Sequence, residues 1–160
     1  MAVLPILRWP DARLEERCAP VTGDVSALAA DMLETMYAAP GRGLAAPQVG
    51  QLLRLFVMDA TWKEGTPAPV ICINPVITWR SSARITGPEG CLSIPGVTAE
   101  VTRASEIRLR YTGLDGVERE DHLTGFAAIC AQHEYDHLDG ILTLDRIPPV
   151  ERAAAEAALA

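Results

Sequence analysis

Residues 132–140 run Gln132-His133-Glu134-Tyr135-Asp136-His137-Leu138-Asp139-Gly140. His133 and His137 stand one helical turn apart, so on a helix both imidazoles leave the same face and can offer a nitrogen to one ion. Glu134 is then carried beside the reacting group, where a carboxylate can move a proton. The chain contains only 3 histidines, so two of them at this spacing around a glutamate form a specific signal. The competing reading is a pair of core histidines satisfied by hydrogen bonds. A helix is predicted over 125–138, because Phe126, Ile129, Cys130, His133 and His137 recur at offsets that share one face, and that face is expected to turn toward the core.

Two histidines do not complete a catalytic metal site, which usually takes three protein ligands and keeps one position for water. His122, a carboxylate and a cysteine are all candidates. The most suggestive surroundings belong to Glu89-Gly90-Cys91-Leu92-Ser93-Ile94-Pro95-Gly96, where Gly90 permits close backbone approach beside the Cys91 thiol. Cys130 shares the helical face but lies about 4.5 Å along the axis from His133. It reads better as a small buried hydrophobe, as do Cys18 and Cys72.

Bulk properties narrow the class. A chain of 160 residues that is 49% hydrophobic supports one core, hence a single catalytic domain over 1–160 with 150–160 as a short helix or tail. A formal charge of -7 argues against general affinity for nucleic acid. Pro5 and mixed charge interrupt the first 17 residues, unlike a secretory signal, and no run approaches a membrane span. The 4 cysteines form no CxxC pair, which suits a reducing cytosol.

Elsewhere, Asp24 is expected to cap a helix through Ala38 with Val25, Leu28, Met32 and Met36 on one face, stopped by Pro40-Gly41. A glycine-rich loop, Gly41-Arg42-Gly43-Leu44-Ala45-Ala46-Pro47-Gln48-Val49-Gly50, follows. Residues 53–58, 70–73 and 76–79 read as strands, with a turn-forming stretch at 63–69. Residues 106–111 and 117–122 read as a hairpin about Asp115-Gly116.

Three of these segments, 41–50, 89–96 and 132–140, resemble the signature motifs of bacterial peptide deformylases in content, order and spacing. Together they separate the chain from thermolysin-like proteases, which share HExxH alone. The resemblance implies an α+β fold, with antiparallel or mixed sheets packed around a central HExxH helix. It implies removal of the N-formyl group from nascent peptides that begin with formylmethionine, with release of formate. It makes Cys91, His133 and His137 the metal ligands, with Glu134 within reach of a water in the fourth position. Stabilisation of the formyl oxygen falls to the metal, the Gln48 amide and the Leu92 backbone N–H.

Further expectations follow from the same likeness. Gly41, Arg42, Gly43 and Leu44 are expected to flank the peptide as an added strand. Phe126, Ile129 and Cys130 are expected to build part of a methionine pocket, where a plain core role fits equally. Arg103 resembles an arginine near the substrate path, although a solvated strand-end arginine suits the sequence as well. Two imidazoles and a thiolate accept Fe(II), Zn(II), Ni(II) or Co(II), and the resemblance favours Fe(II) in cells. The partners implied are N-formylated peptides and a transient ribosome contact at most, for a cytoplasmic monomer that touches neither membrane nor nucleic acid. Two departures stand out. Arg42 replaces a small aliphatic residue, so it either extends into solvent or biases the enzyme toward acidic or differently sized peptides. Thr102 replaces a common proline. A paralogue with another N-acyl substrate and an idle binding relative are the rival readings, and the retention of Glu134, Gln48 and all three ligands favours a working enzyme.

Overall fold

The computed structural model describes residues 2–160. Its elements in chain order are α1 (Ser26–Ala38), β1 (Gly43–Ala45), β2 (Leu55–Met58), β3 (Val70–Arg80), β4 (Arg84–Cys91), β5 (Ile94–Ala104), β6 (Glu106–Thr112), β7 (Glu118–Thr124), α2 (Gly125–Leu138) and α3 (Pro149–Leu159), with short 3-10 turns between them. Strands β1-β2-β3-β6-β7 form one sheet in that order, and β4-β5 form a second, two-stranded sheet. Every strand pair is antiparallel, so the sheets are not mixed; the one parallel pairing among the described residues is an isolated bridge between Ala19 and Leu53.

Side-chain alternation explains the larger sheet. In β6, Ile107, Leu109 and Tyr111 are buried while Arg108 and Arg110 face outward, the period of a strand with one face on a core. The hairpin to β7 turns at Asp115-Gly116 as expected, with Gly116 at φ 79°. The two segments predicted at 70–73 and 76–79 are instead one strand. Its register slips between Ile73 and Val76, where Asn74 takes φ 49° and bonds through its side chain to both the N–H and the carbonyl of Val21. Pro75 offers no N–H to the ladder at this point, so the strand bends without ending. Helix α1 begins one residue later than expected: Asp24 accepts the Ser26 N–H at 2.9 Å, and Val25 occupies the cap.

Helix α2 lies between the sheets and packs against strands of both. It has the predicted bounds, but its burial extends beyond one face: Ala128, Ala131 and Leu138 are buried together with Gln132, Glu134, Asp136 and His137. Polar groups this deep need partners. Gln132 finds them by donating to the Ala104 and Ala128 carbonyls at 2.9 and 3.0 Å. The β4-β5 hairpin, which sequence reading did not anticipate, closes the other side of the helix. The tail forms α3 and rests its Ala155 and Leu159 against the core cluster of Leu14, Ile94, Leu142 and Leu144.

Candidate active site

Cys91 ends β4, next to the Leu92-Ser93 turn that joins it to β5, and the two histidines come from α2. The donor atoms of Cys91, His133 and His137 all lie within 4.8 Å of one another. Cys91 Sγ is 3.5 Å from His137 Nε2. Two imidazole nitrogens and a sulfur at these separations suit a tetrahedral transition-metal site. His122, by contrast, lies exposed on β7 beside Glu106, and Cys130 is outside the cluster.

The surrounding electrostatics fit a cation. Burial disfavours charge on His133, yet Glu134, Cys91 and Glu89 outweigh it and hold this imidazole well above its usual pKa. A field that draws a proton to that nitrogen also draws a metal ion. Burial, with His133 and Arg103 adding to it, pushes His137 well below its usual value and leaves a neutral imidazole with a lone pair to give. Glu134 is buried and its Oε1 has no hydrogen-bond partner. Burial raises its carboxyl to about 7, opposed by His133 and Arg103.

His133 is oriented from behind. Its Nδ1 lies 3.0 Å from Glu89 Oε1, which leaves Nε2 for the cluster. Glu89 in turn accepts two bonds from Arg103, at 2.7 and 2.9 Å, and the third guanidinium nitrogen reaches Asp136 at 2.9 Å. Arg146 closes the chain with two bonds to Asp136, at 2.6 and 2.7 Å. Arg103, expected along the substrate path or at a solvated strand end, is instead 3% exposed and absent from the cleft wall. Glu89, Asp136 and Arg146 had no role in the sequence reading. The available signal was the need of a candidate ligand histidine for an acceptor on its second nitrogen, with Glu89 two residues from Cys91.

A cleft of about 880 Å³ opens over the cluster, lined among others by Gly41, Arg42, Gly43, Gln48, Cys91, Leu92, Phe126, Ile129, Cys130, His133 and Glu134. Leu44, expected to flank the peptide, turns its side chain into the core and does not line the cleft. Gln48 is buried, its Oε1 accepts the Ala45 N–H at 2.9 Å, and its Nε2 faces Ser93 Oγ at 3.0 Å and Cys91 Sγ at 3.6 Å. Phe126 is 47% exposed, so it belongs to the cleft mouth more than to the core. Arg42 does not extend free into solvent; its guanidinium lies 4.7 Å over the Phe126 ring and contacts Glu64.

A cysteine and the two histidines of HExxH, gathered under a cleft beside a buried glutamate, fit a metallohydrolase-type centre. The family profile for polypeptide deformylase matches residues 3–153. The peptide deformylase of Alkalilimnicola ehrlichii is 50% identical over 95% of this chain and 86% of its own. That of Afipia carboxidovorans is 46% identical over 95% of this chain and 91% of its own. The crystal structure of a peptide deformylase from Legionella pneumophila superposes with a TM-score of 0.93 at 37% identity, covering 99% of this chain and 94% of that one. The chain belongs to the polypeptide deformylase family.

Proposed function

We propose that the protein hydrolyses the N-formyl group of nascent peptides in the cytosol, releasing formate and a free amino terminus. The observation that carries this reading is the meeting of the Cys91, His133 and His137 donors with the buried Glu134 carboxylate beneath an open cleft. Cys91, His133 and His137 hold one divalent ion, Fe(II) in cells, through donors that also accept Zn(II), Ni(II) and Co(II). When bound, such an ion acts as a Lewis acid that acidifies water and polarises a carbonyl.

The chain's own groups do the rest. Glu134, with its carboxyl raised to about 7, takes a proton from the attacking water and delivers it to the amine nitrogen as the formyl C–N bond breaks. Gln48 Nε2 and the Leu92 backbone N–H stabilise the formyl oxygen as it gains charge, each contributing about 2.7–4 kcal/mol. The bond from Ala45 N–H to Gln48 Oε1 fixes the orientation of that amide. Strand β1 is an edge strand, and Gly43 with the preceding Gly41 and Arg42 lines the cleft, so an extended peptide can add alongside. Leu44 joins through its backbone alone, and Phe126, Ile129 and Cys130 supply apolar wall for the methionine side chain. The enzyme works as a monomer, with no more than a transient contact to the ribosome.

The direct test is formate release from formyl-Met-Ala-Ser by anaerobically purified, Fe(II)-loaded protein, with the acetyl peptide alongside. Rapid formate release without acetate release is expected. Silence on the formyl peptide at one bound metal per chain overturns the reading. Ferrous protein is also expected to lose activity in air, through oxidation of the metal or of Cys91, while a zinc form keeps its metal. Equal air stability of the two forms would count against iron.

Gly43 supplies a sharper structural test. A Cβ there would lie 2.5 Å from Glu134 Oε2 and 2.9 Å from Cys130 Sγ. Gly43→Ala should displace the carboxylate and lower kcat/KM by about 100-fold, with metal content unchanged. Gly23→Ala, whose Cβ meets nothing within 4 Å, is the control.

A further inference from the structure

The cleft wall carries positive charge in a protein whose net charge is -7. Of the ionised groups lining the cleft, Glu89 is paired with Arg103 and Glu134 is buried beside the metal ligands. Arg42, half-buried, and Lys63, exposed, line the same cleft.

Arg42 is held at its backbone and at its guanidinium. Its carbonyl accepts the Asp59 N–H at 2.8 Å and the Cys130 thiol at 3.6 Å, and its guanidinium stacks 4.7 Å from the centre of the Phe126 ring. A guanidinium carries five N–H donors, more than this ring contact and one ion pair occupy. Among the described residues, one side-chain hydrogen bond engages them: Nη2 to Glu64 Oε1 at 3.3 Å, on a carboxylate whose side chain is 59% exposed. Lys63 belongs to the same corner, with its ammonium 5.7 Å from the Trp62 ring, while the Trp62 indole donates to the Gly41 carbonyl at 2.9 Å. Gly43 sits so close to the reacting group that a Cβ on it would meet Glu134 Oε2, and Arg42 is its neighbour on the cleft wall. An extended peptide advances about 3.3 Å per residue. The long Arg42 side chain is therefore within reach of the second or third residue of a peptide whose formyl group sits at Glu134.

We propose that Arg42, assisted by Lys63, forms a carboxylate subsite that selects formylated peptides with an acidic side chain at the second or third position. The proposal rests on the deformylase reading of the site. Glu64 occupies the guanidinium in the free enzyme through one long, solvated contact, which a substrate carboxylate replaces with a two-pronged one.

The test uses metal-loaded enzyme and C-terminally amidated peptides, so that side chains supply the only substrate carboxylates. Formyl-Met-Glu-Glu-Ser-amide should exceed formyl-Met-Gln-Gln-Ser-amide in kcat/KM by roughly threefold or more at low ionic strength. The difference should lie in KM and should shrink in about 0.5 M salt. Arg42→Met should bring the ratio to one or below, because the negative field of the whole protein then dominates; Lys63→Met should lower it in part, and Glu64→Gln should raise it. Equal values for the two peptides, or a ratio that survives Arg42→Met, would overturn the subsite while leaving deformylation intact. No formate from either peptide would overturn the underlying reading and the subsite with it.

Discussion

Glu134→Ala is expected to lower formate release by about 10²–10⁴-fold while the protein keeps one metal per chain and its melting temperature. The separation of effects follows from the position of the side chain. Glu134 is outside the Cys91, His133 and His137 donor set, and its Oε1 makes no hydrogen bond. A buried carboxylate with an unsatisfied oxygen adds little to stability, so its removal relieves desolvation rather than breaking a contact. Glu134→Gln keeps the shape but cannot carry the proton, and should be as inactive as the alanine variant. Loss of the metal along with activity would mean that Glu134 organises the site and does not act in the chemistry.

Arg103→Met should be the most destabilising single change near the site, costing about 3–5 kcal/mol and roughly 10 °C in Tm. The residue is 3% exposed, and its side chain ties Glu89 to Asp136 through three bonds. Without it, Glu89 is a buried carboxylate whose remaining partner is His133. Its loss should also weaken metal affinity by about 10–100-fold, because Glu89 fixes the orientation of that ligand. Arg119→Met, which removes an exposed pair with Asp115, should leave the melting temperature close to that of the parent. Similar melting shifts for the two variants, with metal affinity retained in Arg103→Met, would remove the assigned role of Arg103.

The catalytic helix and the β6-β7 hairpin were legible in the sequence because each follows a local period: one turn between His133 and His137, and two residues through Ile107, Leu109 and Tyr111. Cys91 was singled out through its motif, since spacing alone left His122 and a carboxylate open, and the structure brings its sulfur to the two imidazoles. The β4-β5 hairpin was not legible. Gly87, Pro88, Gly90, Pro95 and Gly96 dilute its strand pattern, and its register is set by pairing across residues such as Thr86 and Thr102. The Arg103 network lay deeper still. Its partners come from β4, β5, α2 and the segment after α2, and no short-range pattern links residues that meet only when both sheets close on the helix. A charged side chain is expected at the surface on average, and that expectation fails where two carboxylates are buried within reach.

The origin of the three metal donors has a mechanical consequence. Cys91 lies on the small hairpin and both histidines on the central helix, more than forty residues later in the chain. On the proposed ligand set, coordination would act as a crosslink across that long loop, comparable in effect to a disulfide that forms and releases with the ion. The atoms proposed for the chemistry would then also fasten one sheet to the rest of the molecule, and rigidity of the cleft wall would follow metal occupancy.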